Sequence, residues 1–421
     1  MNTKTRNERG QVMVLLAIGA VVFLGFVALA IDGSMAYSDR RRAQNAADAS
    51  SIAGGGAAAL SLENSYVHYS EWDCEDSRIV AAQQAAATAA ISRAAANLYV
   101  IDTNVSDYNG VTTTCGETDR GPFVDKYIDV TALISVTTKT SFAQLIFGGQ
   151  LRSRVSAIVR VRPSSPLAYG HAIVALNPNG CNGNKNGALF GGSSTVNING
   201  GGIWSNGCLS GDGNKYTADV NNGSISYRYW EGTHTGFSPA PEERPAALPT
   251  LPPSITTIPK PNCASPSAHH LSSIKMNNNK DSLTLAPGLY CIDGDVDVSG
   301  GTLSGTDVTI YVGGSVKITG GATISLDSPP SSPDPTPAIA GVLFYVPTGD
   351  IDLEGNGTSG YVGVVYAPKG TIKVHGTAGV TPTFNTQLVG YNVDVRGNAN
   401  IDINFNAPEN YSKPAAIELY K

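Results

Sequence analysis

Four aspartates, Asp350, Asp352, Asp394 and Asp402, recur in short alternating segments of the chain. Carboxylates gathered on one face of a repeating fold are what acid and base catalysis on a polysaccharide requires. Outward aspartates also keep an exposed sheet soluble and stop it pairing with foreign strands, and the pattern favours this reading. Asp293, Asp295 and Asp297 have the spacing of the first ligands of a calcium loop. Val298, however, stands where that loop turns on glycine, and Ser304 where it needs a bidentate glutamate. Gly355, Gly357 and Gly360 spell a dinucleotide fingerprint, yet they precede the strand-like run Tyr361 to Tyr366 rather than a helix. Pyrophosphate would meet no helix N-terminus there, so they read as turn glycines. His269 and His270 stand in a proline-rich setting and read as loop residues. The chain has no P-loop, no G-x-S-x-G elbow and no H-E-x-x-H. The expectation is a protein that is not an enzyme, with no catalytic residue, no metal site and no cofactor.

Two groups remain. Tyr227, Arg228, Tyr229 and Trp230 form an aromatic and cationic run suited to stacking on a sugar or to a protein partner; capping the end of a β-rich segment would use the same residues. The six cysteines, Cys74, Cys115, Cys181, Cys208, Cys263 and Cys291, are even in number, form no C-x-x-C pair and lack zinc-site spacing to histidine. Structural disulfides in an oxidising exterior follow. Cys74 with Cys115, Cys181 with Cys208, and Cys263 with Cys291 each fall within one region of uniform texture, and these pairings are expected.

The elements that must carry these residues are short. From Ala172 onward the chain alternates polar and apolar over runs such as Asp295 to Val298, Ser315 to Ile318, Asp350 to Leu353, Thr371 to Val374 and Asn392 to Val395. Each reads as a half-buried strand. Ile351, Ile372 and Val393 stand 21 residues apart, as do Leu353, Val374 and Val395, and Gly355, Gly376 and Gly397. A repeat of this length is one coil of a solenoid, and stacked coils bury the apolar side that none buries alone. Asp352, Lys373 and Asp394 should then form an outward column of alternating sign. The stretch from Pro239 to Pro261 is too rich in proline to donate a strand ladder and reads as an extended link or a lateral strap. Ser328 to Pro337 reads as a loop at a coil corner. The segment before the link either begins the same solenoid or forms a smaller one.

At the other end, Lys4, Arg6 and Arg9 precede Val12 to Ile31, a run without charge or strongly polar side chains and long enough to cross a bilayer as a helix. Ala28 and Ala30 offer an A-x-A cleavage pattern, but the run exceeds the core of a signal peptide, so retention is expected. Prepilin-type cleavage after Gly10 is disfavoured by Leu15, where such substrates carry glutamate. Arg40, Arg41 and Arg42 balance the basic residues before the span, so the cysteines, all after it, place the rest of the chain outside. Ser34 to Leu60 is alanine-rich and free of proline, predicting a helix that stops at Gly54 to Gly56 and joins the span in one rod. A second alanine-rich helix is predicted over about Arg78 to Leu98, and strands over Tyr127 to Thr138 and Arg152 to Val161.

Glu8, Arg9 and Gly10, then Asp32 and Gly33, Tyr37, Arg40 to Arg42, and above all Gln44, Asn45, Ala46, Ala47 and Asp48 frame the apolar run. In these residues the chain resembles the TadG-like members of the Tad (Flp) pilus-assembly family. The strand pair with Phe142 between its halves is similar to the family's periplasmic α+β unit, so the likeness covers about residues 8–163. It implies a pilus-assembly role. The D-x-S-x-S of relatives with a von Willebrand A module is missing, because Ala36 breaks it after Asp32 and Ser34.

Composition agrees with this division. Charged residues are 15% of the chain, below the usual figure of about 25%, and glycine and proline number 47 and 24. Lys plus Arg at 28 against Asp plus Glu at 34 gives no basis for gripping phosphates, so nucleic acid is not a partner. The expected organisation is a cytoplasmic tail (1–11), a single transmembrane helix (12–31), a helical stalk with a small α+β domain (32–165), a first β-rich segment (166–238), a proline-rich link (239–266) and a parallel β-helix of about 21-residue coils (267–421). The expected function is a non-catalytic, membrane-anchored protein whose C-terminal part is periplasmic or extracellular, acting in pilus assembly or surface adhesion. Its partners would be the membrane, other pilus-assembly or cell-surface proteins, and surface glycans. The alternative is a secreted carbohydrate-active β-helix enzyme or glycan-binding protein.

Overall fold

The computed structural model describes residues 9–65, 67, 69, 72–119, 124–140, 150–183, 186–212, 215–232, 235–244, 250–251, 253–330, 337–355, 359–376, 383–398 and 400–420. Glu8, Phe142, Gly357 and the centre of the Ser328 to Pro337 excursion lie outside the described residues. The chain forms two compact units, one of residues up to 164 with Pro414–Lys421, the other essentially Ser165–Lys413.

In the first unit, helix α1 (Arg9–Asn64) runs unbroken for 56 residues, and its stretch from Val12 is long and apolar enough to cross a membrane. The expected stop at Gly54 to Gly56 does not occur. A Cβ on Gly54 would lie 2.8 Å from Val130 Cγ1 and 2.9 Å from the Ala86 carbonyl, and one on Gly55 would lie 2.5 Å from Val159 Cγ1. Close packing here outweighs glycine's helix cost of about 1 kcal/mol per residue. Helix α2 (Ser77–Ala96) is N-capped by Asp76, whose carboxylate accepts the Arg78 N–H at 2.7 Å. Its buried alanines, Ala82, Ala86, Ala90 and Ala94, allow close approach to α1. Both helices pack on an antiparallel sheet of β1 (Gly110–Asp119), β2 (Val124–Thr138), β3 (Leu151–Arg162) and the C-terminal strand Ala416–Leu419, in that order. The last residues of the chain therefore belong to this sheet rather than to the solenoid, which shortens the expected 267–421 boundary.

Among the described residues, the second unit is a parallel β-solenoid of about nine coils, with strands on three faces. In stacking order, coil 1 holds His269–Leu271, Ile274–Met276 and Ser282–Leu285, and coil 2 holds Gly288–Ile292, Val296–Val298 and Gly301–Gly305. Coil 3 holds Val308–Val312, Val316–Ile318 and Ala322–Asp327; coil 4 holds Val342–Tyr345, Ile351–Gly355 and Gly360–Val362. Coils 5 and 6 bend one long strand across two faces, Val364–Gly376 and Leu388–Gly397, before Thr383–Asn385 and Ile401–Asn404.

Coil 6 is followed in space by the segment that precedes the link in sequence. Leu388 pairs with Ile173, Val393 with Ala188 and Ile401 with Val196. Coils 7 to 9 thus begin at Ile173, Ile203 and Ile225, and the two β-rich segments form one continuous stack with the chain entering at its middle. The link is a strap. It leaves coil 9 and returns to coil 1 along the face of first strands: Leu251 N–H donates to Asn206 at 3.0 Å, Tyr366 bonds Thr257 and Ile258, and Cys263 joins Cys291. Beneath it lies an outward column of Trp204, Val174, Val389, Tyr366, Tyr345 and Tyr311. His269 and His270 open coil 1 as a strand rather than a loop, with His269 stacked on Tyr290 at 4.6 Å.

Candidate functional site

The residues of the QNAAD block fasten α1 to the sheet. Gln44 Nε2 donates to Asp48 at 2.8 Å, one helical turn on, and to the Ser156 carbonyl of β3 at 3.2 Å. Ala46 and Ala47 are buried, while Asn45, Arg40 and Arg41 are exposed. One turn earlier, Asp39 accepts the Thr138 hydroxyl at 2.9 Å, and Asp32 is buried. On the far side of the sheet Arg160 lies between the rings of Tyr127 and Tyr420, at 3.5 and 4.1 Å, and makes a two-pronged contact with Asp129. Hydrogen bonding to Asp129 raises its pKa. Arg162 bridges Asp125 and Glu418, so the C-terminal strand is held by charge as well as by its ladder.

On the solenoid, the column beginning with Asp352, Lys373 and Asp394 is longer than its repeat suggested. Lys275, Asp297, Lys317, Asp352, Lys373 and Asp394 align in successive coils, alternating in sign over coils 1 to 6. Behind them Ile274, Val296, Val316, Ile351, Ile372 and Val393 form a buried column. Asp394 departs from the outward pattern: it is buried and held in a two-pronged pair by Arg396. Asp350 accepts the Thr371 N–H at 2.8 Å, and Asp295 that of Ser315 at 2.8 Å. Asp402 lies on a different face, paired with Asn197 at 2.7 Å. The four aspartates are therefore not gathered on one face. Gly355 ends one strand and Gly360 begins the next.

The aromatic run lies in coil 9. Tyr227 is buried, with its ring 5.5 Å from that of Trp230, which meets Phe237 edge-on at 5.6 Å. Tyr229 is exposed, with Arg228 over its ring at 5.4 Å, and Arg228 Nη1 donates to the Arg244 carbonyl at 2.8 Å. The three disulfides join Cys74 to Cys115, Cys181 to Cys208 and Cys263 to Cys291, with Cα separations of 5.6, 4.9 and 5.9 Å. Glu231 lies beside the Cys181–Cys208 bridge, but bonded sulfurs leave a cation only its carboxylate.

One cluster had no marker in the sequence. Arg244, from the strap's start, stacks on Trp204 at 3.8 Å and donates to the Ser205 carbonyl. His171 lies 5.3 Å from the same indole. Burial, then the charge of Arg244, pushes the His171 pKa down to about 4; burial, then Arg228, pushes Arg244 down to about 10. Trp204 sits in a glycine-rich run, and Arg244 in a proline-rich one, so only the fold brings them together.

A long apolar helix continuing into a small α+β unit, with a disulfide-bonded parallel β-solenoid, defines the class: a β-solenoid protein with a candidate membrane helix. Residues 10–59 match the family model described as putative Flp pilus-assembly TadE/G-like. Residues 303–407, from coil 2 to the end of coil 6, match a domain of unknown function (DUF7305). Comparison with curated proteins and with solved structures gave no match.

Proposed function

We propose that this chain is a non-catalytic, membrane-anchored protein of Tad (Flp) pilus assembly whose solenoid lies outside the cytoplasmic membrane as a rigid binding or spacing surface. The observation that carries this reading is that the pilus-assembly match covers the part of α1 in which the apolar span runs directly into the residues that fasten the helix to its sheet. Three disulfides support an oxidising exterior. A continuous stack of coils crossed by a disulfide-tied strap suits a scaffold that presents Tyr229 and its neighbours to pilus or cell-surface proteins or to surface glycans. The mature N-terminus, read by mass spectrometry from the native membrane fraction, tests the anchor. Retention of Val12 to Ile31 supports it. Cleavage after Ala30 removes it and favours a secreted carbohydrate-active protein.

A further inference from the structure

We infer that Asn104 is the acceptor of an N-linked glycan, attached by an oligosaccharyltransferase. The inference rests on the reading that this part of the chain lies outside the cytoplasmic membrane. Asp102-Thr103-Asn104-Val105-Ser106 is an N-x-S acceptor sequence with a carboxylate two residues before the asparagine. Such an acid gives a charged contact to a transferase that carries a cation beside its peptide groove. Among the described residues, Asn222 and Asn410 also stand two before a serine, but Val220 and Pro408 take the place of the acid. Asn356, after Glu354, matches in sequence and lies outside the described residues.

The fold presents this acceptor. Asn104 lies in the connection from α2 to β1, where every residue from Asp102 to Asp107 is exposed. The Val111 N–H donates to the Asp102 carbonyl at 2.8 Å and ties the loop to β1, while Asp102 Oδ1 accepts the Thr103 N–H at 2.6 Å and fixes the turn before Asn104. The Asn104 amide and the Ser106 hydroxyl, the two groups that an N-x-S sequence supplies, have no hydrogen-bond partner among the described residues. Asn410, by contrast, is buried, accepts the Gln387 N–H at 3.0 Å and donates to the Asn406 carbonyl at 2.9 Å. In the transfer, Asn104 Nδ2 bonds to the anomeric carbon of a lipid-diphosphate-linked oligosaccharide. The bond from that carbon to the diphosphate oxygen breaks, the lipid diphosphate leaves, and the amide proton passes to a base of the transferase. The modification has a use here, because the same connection leaves Leu98 93% and Val100 91% exposed. Val100 and Asn104 are each two residues from Asp102, so their Cα atoms lie at most about 14 Å apart. A glycan of a few sugar rings spans that distance and can cover apolar side chains that are otherwise bare to water.

The test is glycopeptide mass spectrometry on the full chain isolated from its native membrane fraction, with the alkylation state of Cys74 and Cys115 read in the same sample. We expect a sugar-bearing peptide at Asn104 and none at Asn222 or Asn410, loss of the added mass in Ser106→Ala, and its return in Ser106→Thr. The Ser106 hydroxyl holds nothing in the fold, so these variants change the acceptor sequence and not the structure. An added mass at Asn104 that survives Ser106→Ala overturns the assignment. An unmodified Asn104 with Cys74 and Cys115 joined overturns the glycan and leaves the exterior placement standing. An unmodified Asn104 with both thiols free overturns both.

Discussion

Asn199 Nδ2 donates to Asn404 Oδ1 at 2.8 Å across 205 residues of sequence, at the junction where coil 6 meets coil 7. The junction carries more such bonds. Asn392 Oδ1 accepts Asn177 Nδ2 at 2.9 Å and the Gly187 N–H at 2.8 Å, and Gln387 Nε2 donates to the carbonyls of Leu167 and His171, both at 2.7 Å. These bonds fix the register between coils that no short connection joins.

Asn392→Ala removes two of them and leaves the Gly187 N–H and the Asn177 amide without their acceptor. The expected loss is about 2 to 3 kcal/mol of unfolding free energy. Asn221→Ala, at an exposed bond to Asn199 of 2.9 Å, should cost about 0.5 kcal/mol. Urea melts of the two variants check the difference, and equal midpoints would mean that the junction is not held by side chains.

Ile372→Asp places a carboxylate inside the column between Ile351 and Val393, where all three residues are fully buried. It should cost several kcal/mol or unfold the local coils. Lys373→Asp sets a half-exposed acid between Asp352 and the buried, Arg396-paired Asp394 and should cost far less, about 1 kcal/mol. Thermal melts separate the two.

Gly54 and Gly56 predict opposite signs for one substitution. Gly54→Ala drives a methyl into Val130 and the Ala86 carbonyl, and overpacking of this kind costs about 1 to 3 kcal/mol. A methyl on Gly56 would meet nothing within 4 Å, so Gly56→Ala should stabilise α1 by up to about 1 kcal/mol. Chemical denaturation of the two variants beside the unsubstituted chain reads both signs.

The pH dependence follows from His171. Its folded pKa of about 4 lies below the ordinary 6.5, so folding favours the neutral ring. The unfolded chain takes up the proton first as pH falls. Stability is therefore full above about pH 6.5 and declines as pH drops toward 4, by at most about 3 kcal/mol. His171→Phe should flatten that part of the curve in chemical denaturation at pH 7 and pH 4.5.

The 21-residue step made the coils and the register of Ile351, Ile372 and Val393 legible, because stacked coils repeat their inward side chains at fixed spacing. The three disulfides were legible because each joins cysteines that are neighbours in sequence, 41, 27 and 28 residues apart. The order of stacking was not, since any order of coils produces the same periodicity. A weak clue existed in Asn197-Ile198-Asn199, Asp402-Ile403-Asn404 and Asp219-Val220-Asn221, a shared triplet that stacks in neighbouring coils. Strand β1 escaped notice because its run Thr112 to Thr114 has no apolar alternation, and its partner β2 decides its place. The helix through Gly54 and Gly55 depends on Val130 and Val159, both distant in sequence. At the candidate site, the aromatic run was visible, while the cluster of His171, Trp204 and Arg244 depends on where the strap lies.

The pilus role is tested most directly by counting surface pili by electron microscopy in cells lacking this chain, with and without complementation by the full-length gene. Loss of pili on deletion and their recovery on complementation is the predicted result. Unchanged pilus number and length in the deletion strain would contradict it.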